Sequence, residues 1–277
     1  MKTTIAVLFL ITATASAVEW NDLRVTWKSQ SVDPCHLSSY YQMPRTKVDA
    51  ISEGWVEVSG VTSLNLSVYC REGDGRVCLE YDTYGNIAAI QAAILYSDIA
   101  DLQSRHNFSI YNRYQSKTIF NEKYLTSTAY FISPDDIAAG GRCETDGFTG
   151  TDGIWFETTD GITEIPRRVA YLGFAWREGN CVPGMGTHYF YDVGTYSECR
   201  SIQPWTLLAQ DGQLIGFALQ GFGSTTYKNR NYYEDFPASA IKAAIPTAPK
   251  CVIDSFTEYG VIAMHIYFVS KPWEIQC

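Results

Sequence analysis

The chain has only four histidines and four methionines, and no two cysteines stand in a Cys-x-x-Cys pair. That last absence excludes the common structural zinc knuckle and the thioredoxin-type redox motif. Gly-x-Ser-x-Gly, His-Glu-x-x-His and the P-loop pattern are missing too, so no hydrolase elbow, zinc-protease helix or nucleotide phosphate loop is written in the sequence. Beyond the N-terminus, no stretch approaches the roughly 18 uninterrupted apolar residues of a membrane helix, so no membrane span is expected. Lysine is sparse, long runs of like charge do not occur, and the formal net charge is −9. General acidity of this kind disfavours nucleic acid and anionic membrane surfaces as partners. Sustained helical periodicity is scarce as well, which argues against an all-helical fold.

What the sequence does contain begins with a targeting segment. Lys2 supplies a short positive region, Ile5 to Ile11 an apolar stretch, and Ala15-Ser16-Ala17 a small-residue cleavage site. Residues 1–17 read as a signal peptide, and the mature protein is expected to start at Val18 and to be secreted, extracellular. The charge then becomes −10, with 20 basic against 30 acidic residues once Lys2 is lost. Eight cysteines fit that compartment: Cys35, Cys70, Cys78, Cys143, Cys181, Cys199, Cys251 and Cys277. An even number in a secreted chain points to disulfides, whose connectivity the sequence leaves open. Cys70 and Cys78 flank a turn signal and suit the stapling of a hairpin. Asn65-Leu66-Ser67 and Asn107-Phe108-Ser109 are sequons, which makes Asn65 and Asn107 the expected glycan acceptors.

Short alternating segments such as Trp55–Val58 and 64–69, punctuated by Asp-Gly pairs at Asp74, Asp146, Asp152, Asp160 and Asp211, indicate a mainly β protein. Only short helices are expected, at residues 47–54, 97–105 and 238–244. The chain also resembles itself. Met43-Pro44-Arg45 ahead of Trp55 parallels Ile165-Pro166-Arg167 ahead of Trp176. The stretch 85–90 parallels 212–217, and Cys143-x-x-Asp146-x-Phe148-Thr149 parallels Cys251-x-x-Asp254-x-Phe256-Thr257. Three pairs in one order imply two divergent tandem copies of a disulfide-bonded antiparallel β unit packed together, residues 18–164 and 165–277. Asp146 and Asp254, sharing a motif, read as turn-formers.

Two stretches carry the candidate chemistry. His188 follows the Gly184-Met185-Gly186 turn and heads the aromatic run Tyr189-Phe190-Tyr191. His265 follows Met264 and leads into Tyr267 and Phe268. Alternation puts His188 on a face with Phe190, and His265 on a face with Tyr267. On neighbouring strands the two imidazoles line one aromatic-walled pocket, with Tyr189, Phe190, Tyr191, Tyr267 and Phe268 on or near its walls. A histidine there, with an ordinary pKa of about 6.5, suits acid–base work on a small apolar molecule. The chemistry in view is lyase or isomerase chemistry, or cofactor-free oxidation of the luciferase type. No motif requires a cofactor; Met185 or Met264 added to two imidazoles is a copper-like set, and Asp192 or Asp254 a zinc-like one. A carboxylate pair of the glycosidase kind remains open among Glu57, Glu80, Asp82, Asp146 and Glu157. The aromatic and polar stretch 227–236 reads as an exposed loop of recognition composition, at a place matching 124–134. The leading expectation is a secreted protein that binds or transforms a small, largely apolar or aromatic ligand in the second copy. The alternative is a non-catalytic coat, matrix or recognition glycoprotein. The oligomeric state is not legible.

Overall fold

A computed structural model describes residues 18–26, 39–60, 62, 64–143, 147–150, 153–199, 202–228, 230–234, 236 and 238–277. Residues 1–17, expected to be a signal peptide, and Cys35, Asp146 and Asp152 lie outside them. The protein is mainly β, with two antiparallel sheets and few helices. One sheet has seven strands in the order β11 (Trp176–Val182), β12 (Gly186–Tyr191), β13 (Trp205–Gln210), β14 (Gln213–Phe222), β15 (Val261–Tyr267), β1 (Arg24–Thr26) and β2 (Tyr40–Gln42). The other has the order β10 (Gly161–Pro166), β9 (Gly153–Thr158), β8 (Glu122–Tyr130), β6 (Ile87–Leu95), β5 (Asp74–Tyr81), β4 (Ser67–Arg71) and β3 (Trp55–Val58). Its eighth strand, β7 (Gln115–Ile119), pairs with the first half of β8. The chain passes from the second sheet to the first after Pro166, but β1 and β2 come from the N-terminal part and complete the first sheet.

The two sheets share one core. Phe156 of β9 stacks on Trp205 of β13 with centroids 4.5 Å apart and meets Phe217 of β14 edge-on at 5.0 Å. Trp20 and Phe131 both close on Phe268, at 4.6 and 5.5 Å. Such aromatic pairs contribute about 0.5–1.5 kcal/mol each beyond the area they bury. A buried ion pair within β5 is linked to the segment after β14: Arg76, fully buried, donates to Asp74 at 3.0 Å and to Thr226 Oγ1 at 2.9 Å, and Thr226 donates to Asp98 at 2.8 Å.

Hairpin chemistry accounts for much of the register. Asp211 and Gly212, both at positive φ, form the two-residue turn between β13 and β14, the geometry a tight hairpin prefers. The Asp74-Gly75 pair is not a turn: Arg71 pairs with Asp74, so the turn is Glu72-Gly73 and Gly75 lies within β5. A Cβ on Gly75 would meet Ile119 and Tyr124 at about 3 Å, so packing rather than turning explains that glycine. Cys70 and Cys78 face each other across β4 and β5 and are bonded; Cys181–Cys277 and Cys199–Cys251 are the other disulfides. Cys143, expected in a disulfide, is exposed and bonds to no described cysteine. Asn65 and Asn107 are both exposed.

Helices form at the three expected places: α1 (Lys47–Ser52), α2 (Tyr96–His106) and, after the short α3 (Pro134–Ala138), α4 (Ala238–Ala244). A further helix, α5 (Lys250–Tyr259), contradicts the turn expected at Asp254, which instead pairs with Lys250 one helical turn away at 2.5 Å. Val252 and Phe256, four residues apart, are its buried stripe. The matching motif at 143–149 is irregular where it is described, so the two similar segments take different local structures.

Candidate functional site

The face of the seven-stranded sheet turned away from the shared core is built in cross-strand rows. Phe190, Thr206, Ala218 and His265 form one row across β12, β13, β14 and β15; His188, Leu208, Gly216 and Tyr267 form the next. His188 and His265 are therefore not on neighbouring strands, as the sequence reading supposed for a shared pocket. Two strands intervene, and three strand steps span about 14 Å. The intervening strands present Thr206 and Leu208 of β13 and the small Ala218 and Gly216 of β14, and the imidazoles approach to a centroid separation of 5.9 Å, edge to face.

Two helices roof this face. Ala240, Ile241 and Ala244 of α4 and Phe256 of α5 join Phe190, Met185, Val182 and both histidines around a cavity of about 630 Å³, its open mouth included. Asn180 Nδ2 donates to the Ala243 carbonyl at 2.7 Å and pins α4 to β11. The Cys199–Cys251 disulfide holds α5 to the segment before β13. Most of the lining is apolar; among the described residues, Thr206 and Gln220 are the polar side chains besides the imidazoles.

The electrostatics of the two histidines differ. Burial drives the pKa of His188 down to about 3; the neighbouring His265 adds to this, while the backbone carbonyls of Asn180 and Gly186 oppose it. His188 Nδ1 lies 3.1 Å from the Gly186 carbonyl, and its ring stacks on Phe190. His265 Nδ1 instead pairs with the carboxylate of Glu234, a fully buried acid. β1 pairs with the Ile266–Tyr267 end of β15. Nearer the other end of the strand, Glu234 N donates to the Ala263 carbonyl at 2.9 Å. Thr26 Oγ1 accepts from His265 N at 3.0 Å, and Tyr267 stacks on the imidazole. Glu234 Oε1 and Thr206 Oγ1 are buried without a hydrogen-bond partner among the described residues.

Not every aromatic expected at the walls is there. Phe190 lines the cavity, and Tyr267 lies on the same sheet face, packed between His265 and Tyr40. Phe268 points into the shared core, and Tyr189 turns its hydroxyl to Glu178 at 2.9 Å, because alternate residues of a strand face opposite ways. Tyr191 is 36 % exposed and packs edge-on against Trp176. Of the side chains weighed as metal ligands, Met185 lines the cavity. Met264 is in the core, Asp192 ends β12 at positive φ, and Asp254 is exposed on α5. Among the described residues, no group of three or more His, Cys, Asp or Glu side chains is arranged around a metal position.

Glu234 is a residue of this candidate site that sequence reasoning missed. It lies in the stretch taken for an exposed recognition loop, yet Tyr232, Tyr233 and Glu234 are all buried, and Tyr233 donates to the Ala93 carbonyl of the opposite sheet. Residues 124–130, supposed to match it, are the core strand β8. Comparison with protein-family models, with curated proteins and with solved structures finds no match.

Proposed function

We propose that this protein is an extracellular, disulfide-bonded acid–base protein that binds a small, largely apolar molecule under α4 and exchanges a proton with it at His265. The observation that carries this reading is a pair of imidazoles 5.9 Å apart, one of them bonded to a buried carboxylate, in a cavity walled mostly by apolar side chains. An apolar cavity with a few convergent polar groups is the usual form of a small-molecule site.

The division of labour follows from the environments. With Glu234 as a carboxylate, Nδ1 of His265 carries hydrogen and donates to it, which leaves Nε2 as the base. A proton taken by Nε2 creates an imidazolium beside the Glu234 carboxylate, so charge develops where an opposite charge already stands. His188, held neutral by burial, does not compete for that proton. The ligand class is an apolar or aromatic compound with one dissociable proton, a phenol, an enol or a carbon acid next to a carbonyl. The reactions served are isomerisation, elimination, or the deprotonation that opens a cofactor-free oxidation. Three disulfides support the extracellular placement.

Proton–deuterium exchange tests the reading, followed by NMR on a panel of apolar ketones and phenyl-substituted carbon acids. The wild-type protein is expected to bind a subset and to catalyse exchange. His265→Asn should slow exchange about 100-fold or more, the typical contribution of a general base, and Glu234→Gln should slow it less, with binding retained in both. Folded wild-type protein that binds none of the panel, or exchange untouched by His265→Asn, overturns it.

A further inference from the structure

The outward face of the eight-stranded sheet holds a second buried cluster of reactive groups, which the histidine cavity does not use. Gln91, Thr128 and Glu157 form one row across β6, β8 and β9; Glu80, Ala89 and Tyr130 form the next across β5, β6 and β8. Glu80 and Gln91 are fully buried and Glu157 nearly so. Lys117 extends from β7 over these rows. Its Nζ donates to Gln91 Oε1 at 3.0 Å and lies 3.9 Å from Glu157 Oε2, which also accepts from Tyr130 at 2.9 Å. Thr62 donates to Glu80 Oε2 at 3.2 Å. Glu80 Oε1, Gln91 Nε2 and Thr128 Oγ1 are buried with no hydrogen-bond partner among the described residues.

An amine held against a buried carboxamide, with the Glu157 carboxyl beside it and the buried Glu80 carboxyl in the next row, is the arrangement that amide exchange requires. We propose that Lys117 and Gln91 join in an intramolecular isopeptide bond, with Glu157 and Glu80 as the proton carriers. Glu157 takes one proton from the Lys117 ammonium, and the freed lone pair attacks Cδ of Gln91. From its present hydrogen bond to Oε1, Nζ needs only a small rotation of the amide to reach the near-attack separation of about 3–3.5 Å. The Nζ–Cδ bond forms. The second proton of the attacking nitrogen passes through the protonated Glu80 carboxyl to Nε2, the Cδ–Nε2 bond breaks, and ammonia departs with the proton held by Glu157. The sum is an ammonium side chain and a carboxamide giving a secondary amide and an ammonium ion; nothing is oxidised or reduced.

Glu80 suits its part. Burial raises its pKa to about 7, with Glu157 adding to the rise and Lys117 and Thr62 opposing it. At neutral pH it therefore exists in both forms, as a carrier must. The product ties β7 covalently to the centre of its sheet.

Peptide mapping by mass spectrometry decides the matter, on the secreted protein after glycan removal and disulfide reduction. The peptides holding Gln91 and Lys117 are expected to be recovered joined, lighter than their sum by one ammonia. They should be recovered separately from Lys117→Arg and from Glu80→Gln proteins. Separate peptides from folded wild-type protein after prolonged incubation overturn the proposal, and so does a joined peptide in which Thr128 rather than Lys117 carries the Gln91 acyl group. A Glu80→Gln protein that keeps its circular dichroism spectrum and still forms the link removes Glu80 from the step. The wild-type map stands on its own should either variant fail to fold.

Discussion

The outward faces of the two sheets meet the same problem in opposite ways. Each buries ionisable side chains that water would otherwise solvate. On the seven-stranded sheet two imidazoles and one carboxylate stand among hydrocarbon, and a cavity remains between sheet and helices. On the eight-stranded sheet an ammonium, two carboxyls and an amide reach toward one another across the strands. Ion pairs withdrawn from water must find partners at close range. Hydrocarbon makes no such demand, so Ala218, Ala240 and Ala244 can stand back from one another. Histidine permits the open solution because it can be buried neutral; lysine and glutamate pull the other face shut.

Breaking the closed face should cost the most. Lys117→Met removes the amine held against Gln91 and beside Glu157, and with it the proposed link to Gln91; urea unfolding is expected to show a loss of about 3 kcal/mol. The corresponding change on the open face, His188→Leu, removes a group already neutral and should alter stability at neutral pH by less than about 1.5 kcal/mol.

The pH dependence of stability sharpens the contrast, because the two faces carry opposite signs. His188 has a folded pKa of about 3, below its ordinary 6.5. The unfolded chain therefore binds more protons between these values, and the stability present above pH 6.5 is lost as pH falls toward 3, by up to about 1.4 kcal/mol per pH unit. Glu80 has a folded pKa of about 7, above its ordinary 4.5. Its contribution is complete below pH 4.5 and is lost as pH rises through 7, at the same limiting slope. Unfolding curves across pH should lose the acid limb in His188→Leu and the neutral limb in Glu80→Gln. The smallest effect is expected at Tyr191→Ser, which should cost no more than about 1 kcal/mol and leave ligand binding intact, whereas Phe190→Ala should cost about 3 kcal/mol.

Local patterns made much of the fold readable. Alternation marked Trp55–Val58 as a strand, Asp211-Gly212 announced its hairpin, and the spacing of Cys70 and Cys78 suited a staple across paired strands. Helix α5 escaped because its stripe has only two anchors, Val252 and Phe256, and its polar positions resembled the irregular segment at 143–149. At the cavity, strand alternation puts His188 with Phe190 and His265 with Tyr267, but nothing local says that β13 and β14 run between them. Glu234 was unreadable for the same reason. Its place depends on a bridge to Ala263 of β15, a tertiary contact that no local pattern announces.

Gly179 sits in the irregular stretch of β11 opposite β12, and a Cβ there would lie 2.5 Å from the Ala244 carbonyl and 2.9 Å from the Phe190 ring. The height of α4 above the sheet is thus set by a missing methyl group outside the cavity. In any relative of this chain the residue aligned with Gly179 becomes a gauge of cavity depth. Where it is alanine or larger, the roof must ride higher and the room for a ligand must differ, even if every lining residue is the same.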